Sequence, residues 1–477
     1  MKSKLRVLVS KAVLFYLLLL SIISVIHYNN TSMILNRKSL NYNRVPQING
    51  DSEDWYVKFS GPQFDSALAI ANDSEGNIYV AGITESYGAG ETDFILVKFN
   101  KSGVYQWNVT HGGSDKEGFQ STTKIGLAVD SNDDIILVGW TQSWGHGNKD
   151  IEIIKYNSSG QKIWNRTWGK NTEDWGFGVA VDASDNIYVV GKQHDGGHPF
   201  QYDAVLIKYD ANGNEIWNQT WGGLYDNEEV AYDIAINKSS NEIFIVGMYN
   251  YSGGETGDIL FLKYDTSGNF QTEKHFHGSR VDIGYGICIA PDNNIYIVGI
   301  SDSFSSGNYN KFIFKLDKNG NQLWNITYSG TIPEYAYNVI ADSQNYIYMA
   351  GEFYTNSYYD YNFGYIKLDN QSNEIKRITW GFPNTPEKGR DILIDKSGNI
   401  YMCGYIYMLT SDADIILVKN PLRGIYTENA SNNNDEEENE EESETSTSIP
   451  GYNFPLLLGI FSIITVIISI ELRKNIK

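Results

Sequence analysis

The stretch DWGFGVAVDASDNIYVVG (174–191), followed past a loop by DAVLIKYDANGNEIWNQTWGG (203–223), decides the fold. It holds four segments of strand length. GFGVAVD (176–182) is short and rich in small residues, and NIYVVG (186–191) is β-branched and ends in glycine. DAVLIKY (203–209) ends with a lysine followed by tyrosine, and EIWNQTW (215–221) mixes polar and aromatic residues. β-Branched and aromatic side chains suit a pleated, half-buried surface. Asp-x-x-Gly-Asn turns such as DKSGN (395–399) join first to second segment, and turns such as DKNGN (317–321) join third to fourth. Their glycines supply the positive φ of a tight hairpin, and the aspartate oxygen bonds its own turn.

The unit recurs. A strand ending in glycine appears as NIYVAG (77–82), DIILVG (134–139), NIYVVG (186–191), EIFIVG (242–247), NIYIVG (294–299), YIYMAG (346–351) and NIYMCG (399–404). The spacing of Gly82, Gly139, Gly191, Gly247, Gly299, Gly351 and Gly404 stays between 52 and 57 residues. Seven four-stranded units of this period predict an all-β, seven-bladed β-propeller over residues 51–421. The seventh copy stops after its third strand, DIILVKN (414–420), and DWYVKFSG (54–61) before the first copy matches a fourth strand. The N-terminal strand is therefore expected to complete the last blade and close the ring, which removes exposed edges.

The signature D-x-G-x-G-V-A-V-D-x-x-x-N-I-Y-V-x-G resembles the seven-bladed propeller repeats often called SBBP repeats, and more loosely NHL repeats. That resemblance implies an extracytoplasmic, often surface-anchored protein and carries no catalytic residues with it.

The ends read as membrane signals. Lys2, Lys4, Arg6 and Lys11 precede an apolar run from Ala12 to Ile26, the layout of a signal peptide or signal-anchor over 1–26. Residues 27–50 are a polar spacer. Residues 422–450 include the tract NASNNNDEEENEEESETSTS (429–448), too polar to bury a core and expected as a solvated stalk. In 451–477 an apolar run from Pro455 to Ile470 is followed by Arg473, Lys474 and Lys477. With IPGYNF before it, this segment resembles a C-terminal surface-sorting signal; a plain transmembrane anchor is the alternative. Flanking apolar helices, a cell-surface propeller and both ends toward the cytoplasm unless processed are the expectation. A net charge of −21 excludes a nucleic-acid partner. Two cysteines, Cys288 and Cys403, in apolar strands of different copies read as buried thiols.

Candidate chemistry separates into what repeats and what does not. An acid stands at the start of the first strand in six copies: Asp65, Asp174, Glu229, Asp282, Glu334 and Glu387, with Thr122 the exception. These are expected as a ring near one channel mouth, either fixing blade to blade or holding a cation such as Ca2+; repetition favours the scaffold role. The lysines Lys98, Lys155, Lys208, Lys263, Lys315, Lys367 and Lys419 end every third strand and read as scaffold, as do Trp107, Trp164, Trp217 and Trp324. Asn108, Asn165, Asn218 and Asn325 lie in N-x-Thr acceptors on outermost strands, candidates for glycosylation in an exported domain.

Departures from the repeat point to function, because the scaffold does not demand them. GGSDKEGFQSTT (112–123) is longer than its counterparts. The second-to-third loop of repeat 2 holds Trp144 and His146, and that of repeat 3 holds His194, His198 and Tyr202. Repeat 6 adds Tyr354, Tyr358 and Tyr359. Loops of this type emerge on one face of a propeller, where aromatics suit recognition of a surface protein or carbohydrate. Zinc at His194 and His198 is the weaker alternative, with no third ligand in sequence. The expected function is a membrane-anchored binding or adhesion module without cofactor. The alternatives are an envelope enzyme of lyase, glycosidase or quinoprotein type using the channel mouth, and a structural surface component. No catalytic motif is present to support an enzyme.

Overall fold

The structure is a computed structural model. It describes residues 45–46 and 55–420, apart from 119–123, 195, 197–200, 223–227, 251–256, 304–308, 329–332, 355–360, 383–384 and 408–411. Two compact units divide the chain, Met1–Thr427 and Glu428–Lys477, and every described strand belongs to the first. The signal segment (1–26), most of the spacer, the stalk and the sorting segment lie outside the described residues. Among the described residues all regular structure is β, and no helix is long and apolar enough to cross a membrane.

Among the described residues twenty-nine strands form six hydrogen-bonded sheets. Four are antiparallel meanders of four strands, spanning 65–111, 126–168, 282–327 and 335–380. An eight-stranded sheet contains two further meanders, 174–221 and 228–276, joined by the single parallel pair Tyr202–Glu228. The last sheet takes three strands from 387–419 and is completed by Trp55–Phe59, which pairs antiparallel with Ala413–Lys419 in the register Trp55–Lys419 to Phe59–Ile415. Val45–Pro46 adds a short fifth strand. First strands contact one another in chain order, and Glu387–Ile394 contacts Asp65–Asn72, so these contacts run in a closed circle.

Burial explains the strand chemistry. Second and third strands are buried over most of their length, and over all of it in Ile78–Thr84 and Asp93–Phe99. Their alternate side chains enter different cores. Ile78 and Val80 pack with Phe59, Tyr401 and Leu417, whereas Tyr79 and Ala81 pack with Leu137 and Ile154 of the next repeat. Each buried aliphatic side chain contributes about 1.5–3 kcal/mol relative to exposure. Fourth strands such as Lys162–Trp168 stay half exposed, which accounts for their polar composition.

In six repeats the glycine that ends the second strand answers a bulge in the first. Register shifts between Ala67 and Ala69, and likewise between Ala231 and Asp233, opposite Gly82 and Gly247. A Cβ on Gly82 would lie 1.7 Å from the Ser66 carbonyl oxygen, and one on Gly247 1.7 Å from that of Val230. No side chain fits there.

The repeated polar residues tie units together. Lys98, Lys208, Lys263 and Lys315 each donate through Nζ, at 2.9 Å, to a carbonyl in the third-to-fourth turn of the following repeat. Asp73 accepts the N–H groups of Glu75 and Asn77 through Oδ1 and the Tyr79 hydroxyl through Oδ2, holding its turn shut.

Candidate functional site

The antiparallel meander gives the molecule two functional ends. First-to-second and third-to-fourth turns lie at one end (the turn face). Second-to-third loops and the links between repeats lie at the other (the loop face).

At the loop-face ends of the first strands, Asp65, Asp174, Glu229, Asp282 and Glu387 are buried. Asp65 accepts from Thr84 Oγ1 at 2.5 Å and Ser86 Oγ at 2.7 Å. Burial, with repulsion from Asp414, pushes its carboxyl up to about 7. Asp174 is pushed up to about 6 by burial and by Asp150. A Cβ on the linker Gly169 would sit 2.2 Å from Asp150 Oδ1 and 2.6 Å from Asp174 Oδ2, so two carboxylates from adjacent repeats converge on that glycine. Repeat 2, expected to lack this acid, has one. Glu117 is buried, bridges Thr141 and accepts from its Oγ1 at 2.7 Å, the arrangement that Asp65 has with Thr84. The insertion falls after Glu117, in the segment holding Thr122, which lies outside the described residues. Glu334 differs from the rest: it pairs at 2.6 Å with Lys311, a fully buried ammonium 3.5 Å from the Phe353 ring centroid. Among the described residues no group of three His, Cys, Asp or Glu could hold a metal ion.

The loop face of repeats 2 to 4 carries a network that does not repeat. The Trp140 and Trp175 rings lie 5.0 Å apart. Lys149 Nζ sits 4.2 Å from the Trp175 ring and 3.2 Å from Glu173 Oε1. Lys192 Nζ sits 2.7 Å from Glu228 Oε1, 3.9 Å from the Tyr202 ring and 5.2 Å from Trp175. The Tyr202 hydroxyl donates to Glu173 Oε2 at 3.3 Å, and burial and Glu173 push its ionisation up to about 12. Ammonium groups over aromatic faces gain roughly 0.5–2 kcal/mol each. Half-buried rings flanked by carboxylates and ammonium groups offer apolar stacking faces beside hydrogen-bonding groups.

Between the two faces the first strands supply two layers. The bulge residues Leu68, Phe177, Tyr285, Tyr337 and Arg390 are buried, as is Ile125 at the corresponding place in repeat 2, with the bulge residue Tyr232 partly so. Phe177–Tyr232, Tyr232–Tyr285 and Tyr285–Tyr337 rings follow one another at 5.2, 5.2 and 5.6 Å. Arg390 closes the series, 4.3 Å from Tyr337, 3.2 Å from Glu352 Oε1 and 2.9 Å from the Tyr405 hydroxyl. The positions just past the bulge are Ala69, Gly178, Asp233, Gly286, Asn338 and Asp391, and Gly126 is their counterpart in repeat 2. Four are small and three are polar. Except for Gly286, they line a cavity of about 330 Å³ with Lys124 that continues along the strand ends to Asn72 and Val129, toward the turn face. Lys124 Nζ lies 2.8 Å from Asp233 Oδ2 and donates to the Tyr285 carbonyl at 2.8 Å. Asp391 accepts from Ile70 N at 2.9 Å, Ile392 N at 2.7 Å and Asn338 Nδ2, and burial pushes its carboxyl up to about 6.

Of the residues singled out from the sequence, Trp144 is exposed and packs, tilted, with its ring centroid 4.8 Å from that of His111, which bonds Glu152 at 2.8 Å. His146 is held through its backbone N–H by Asp150. His194 packs 5.1 Å from Tyr202, and its Nδ1 accepts from Gly196 N. Both loops bond Thr172: Asn148 N donates to its carbonyl, and its hydroxyl donates to the His194 carbonyl. Tyr354 packs against Tyr361 in repeat 6, with tilted rings 4.1 Å apart. His198, Tyr358 and Tyr359 lie outside the described residues. The acceptors Asn218 and Asn325 are exposed, whereas Asn108 accepts from the Tyr105 hydroxyl and Asn165 donates to Glu152. The sequence reading missed Lys124, Asp233, Asn338 and Asp391. Their signal was a first-strand column that is alanine or glycine in four copies and polar in three.

The family model described as "Domain of unknown function (DUF5122) beta-propeller" matches residues 74–104 and supports a β-propeller domain. The regulatory protein FlaEY of Caulobacter vibrioides is 25% identical over 151 residues, which cover 27% of this chain and 15% of that protein's length. Among solved structures, puromycin hydrolase aligns with a TM-score of 0.46 at 9% identity, covering 73% of this chain and 53% of its own. The β-propeller domain of the Trilobed protease from Pyrococcus furiosus aligns at 0.44 and 10% identity, covering 75% and 94%.

Proposed function

We propose that the chain is a seven-bladed, SBBP-type β-propeller held at a membrane surface and binding carbohydrate on its loop face. The single observation that carries the binding reading is the network of Trp175, Lys192 and Tyr202 with Glu173 and Glu228. The scaffold does not ask for it: the first-strand position of Trp175 is Val230 in repeat 4 and Ile283 in repeat 5, opposite Met248 and Ile300. Aromatic faces supply rigid contact area, and the flanking carboxylates and ammonium groups suit sugar hydroxyls. The blade count is supported by the meander count and the circle of first-strand contacts. Surface attachment rests on the apolar runs 12–26 and 455–470 with their basic flanks. A glycan array probed with the purified full-length protein, in parallel with Tyr202→Ala, tests the reading. Binding to defined glycans that the variant loses supports it; identical profiles for both proteins, or no glycan bound, reject it.

A second reading, an enzyme working in the channel, is favoured by one observation: Asp233 and Asp391 have unequal surroundings, the first paired with Lys124 and the second held by N–H donors. Turnover of oligosaccharides by the full-length protein, lost in Asp233→Asn, would support it.

A further inference from the structure

The cavity on the turn face is separate from the loop-face network, and its charges do not balance. It holds one ammonium, Lys124, and two carboxylates, Asp233 and Asp391. Lys124 is committed to Asp233 and to the Tyr285 carbonyl, each at 2.8 Å. Asp391 has backbone N–H groups and the Asn338 amide, and among the described residues no lysine or arginine forms an ion pair with it. Burial drives Asp391 toward its protonated form, and the charge of Lys124, itself paired with Asp233, offsets only part of that cost. A cation delivered to it relieves that cost. Beyond this polar floor Ala71, Val129, Val179, Ile340 and Leu393 add aliphatic side chains to a lining that is polar over most of its surface. A volume of about 330 Å³ is at the small end of ligand pockets. The net charge of −21 adds long-range attraction for cations.

We propose that this cavity binds a small organic ammonium compound, with its charged head against Asp391 and its carbon body along those aliphatic side chains. A hydrated divalent ion fits less well. It needs at least six oxygen ligands, and no group of three acidic, histidine or cysteine side chains converges here among the described residues.

The test is calorimetric titration of the full-length protein in detergent at about pH 8 with n-butylammonium, against n-butanol of equal length and against calcium chloride. Butylammonium is expected to bind at least about tenfold more tightly than butanol, a difference of about 1.4 kcal/mol. Asp391→Asn, which preserves shape, is expected to lower affinity about tenfold or more. Ala71→Phe, which fills the cavity without touching Asp391, is expected to abolish binding and serves if the first variant does not fold. Lys192→Met and Tyr202→Ala are expected to leave butylammonium binding unchanged, so failure of the loop-face reading is seen separately. Equal binding of butanol, unchanged affinity in Asp391→Asn, or displacement of butylammonium by calcium overturns the proposal.

Discussion

Lys192 holds its ammonium 3.9 Å from the Tyr202 ring centroid while paired with Glu228 at 2.7 Å. One cation thus serves an aromatic face and a carboxylate belonging to the next meander. Both partners keep some exposure, so the pair contributes little to folding. Lys192→Met retains the aliphatic stem and is expected to cost no more than about 2 kcal/mol in urea denaturation. A larger loss would assign the network to the scaffold.

Gly247 faces the Val230 carbonyl across the bulge, and Gly398 adopts φ 82° in a turn with nothing near its missing Cβ. Gly247→Ala is expected to cost more than about 4 kcal/mol or to prevent folding. Gly398→Ala meets only backbone strain and should cost about 1 kcal/mol. Thermal unfolding of the two variants checks the contrast, and equal losses would refute the close-approach explanation.

Stability should peak in mild acid. Asp65, Asp174 and Asp391 are raised to about 7, 6 and 6, so the folded state keeps protons that the unfolded chain releases near pH 3.8. Their contribution is fully present below that value and is lost as pH rises through 6 to 7; for Asp65 alone it amounts to at most about 4 kcal/mol. The turn aspartates Asp73, Asp182 and Asp395 are held below 3.8 by hydrogen bonds from Asn77, Asn186 and Asn399, which outweigh burial. They act oppositely, and their contribution is lost as pH falls through their lowered values. Denaturation midpoints should therefore be higher near pH 5 than near pH 8, and Asp65→Asn should flatten that decline. A midpoint rising steadily toward pH 8 would contradict the assignment.

Lys311 occupies the third-strand position filled by Phe94, Ile151, Ala204, Ile259, Phe363 and Ile415 elsewhere. Burial lowers its ammonium to about 8 despite Glu334. Glu334→Gln strands that buried charge and should cost about 3–5 kcal/mol. Adding Lys311→Met should recover most of the loss in the same urea titration, because an apolar residue suits the site. No recovery in the double variant would show that the pair matters beyond its mutual neutralisation.

The sequence made the periodic part of the fold legible, because turn aspartates, strand-ending glycines and third-strand lysines each answer a constraint met anew in every repeat. The pairing of Trp55–Phe59 with Ala413–Lys419 was legible for the same reason. Glu117 was hidden because five further residues separate it from the strand that it serves. Asp233, Asn338 and Asp391 were hidden by the bulge. A register shift of one residue changes which side chain meets the channel, and alternation alone does not reveal it. Lys192 and Lys149 carry no signal in the sequence, because only the fold places both against Trp175.

The most direct test of carbohydrate binding on the loop face is the affinity of one array-selected glycan for wild-type protein and for Tyr202→Ala, measured by titration calorimetry with circular dichroism as the folding control. Loss of the Tyr202 face is predicted to weaken binding about tenfold or more with an unchanged strand spectrum. Equal affinity in the two proteins would contradict it.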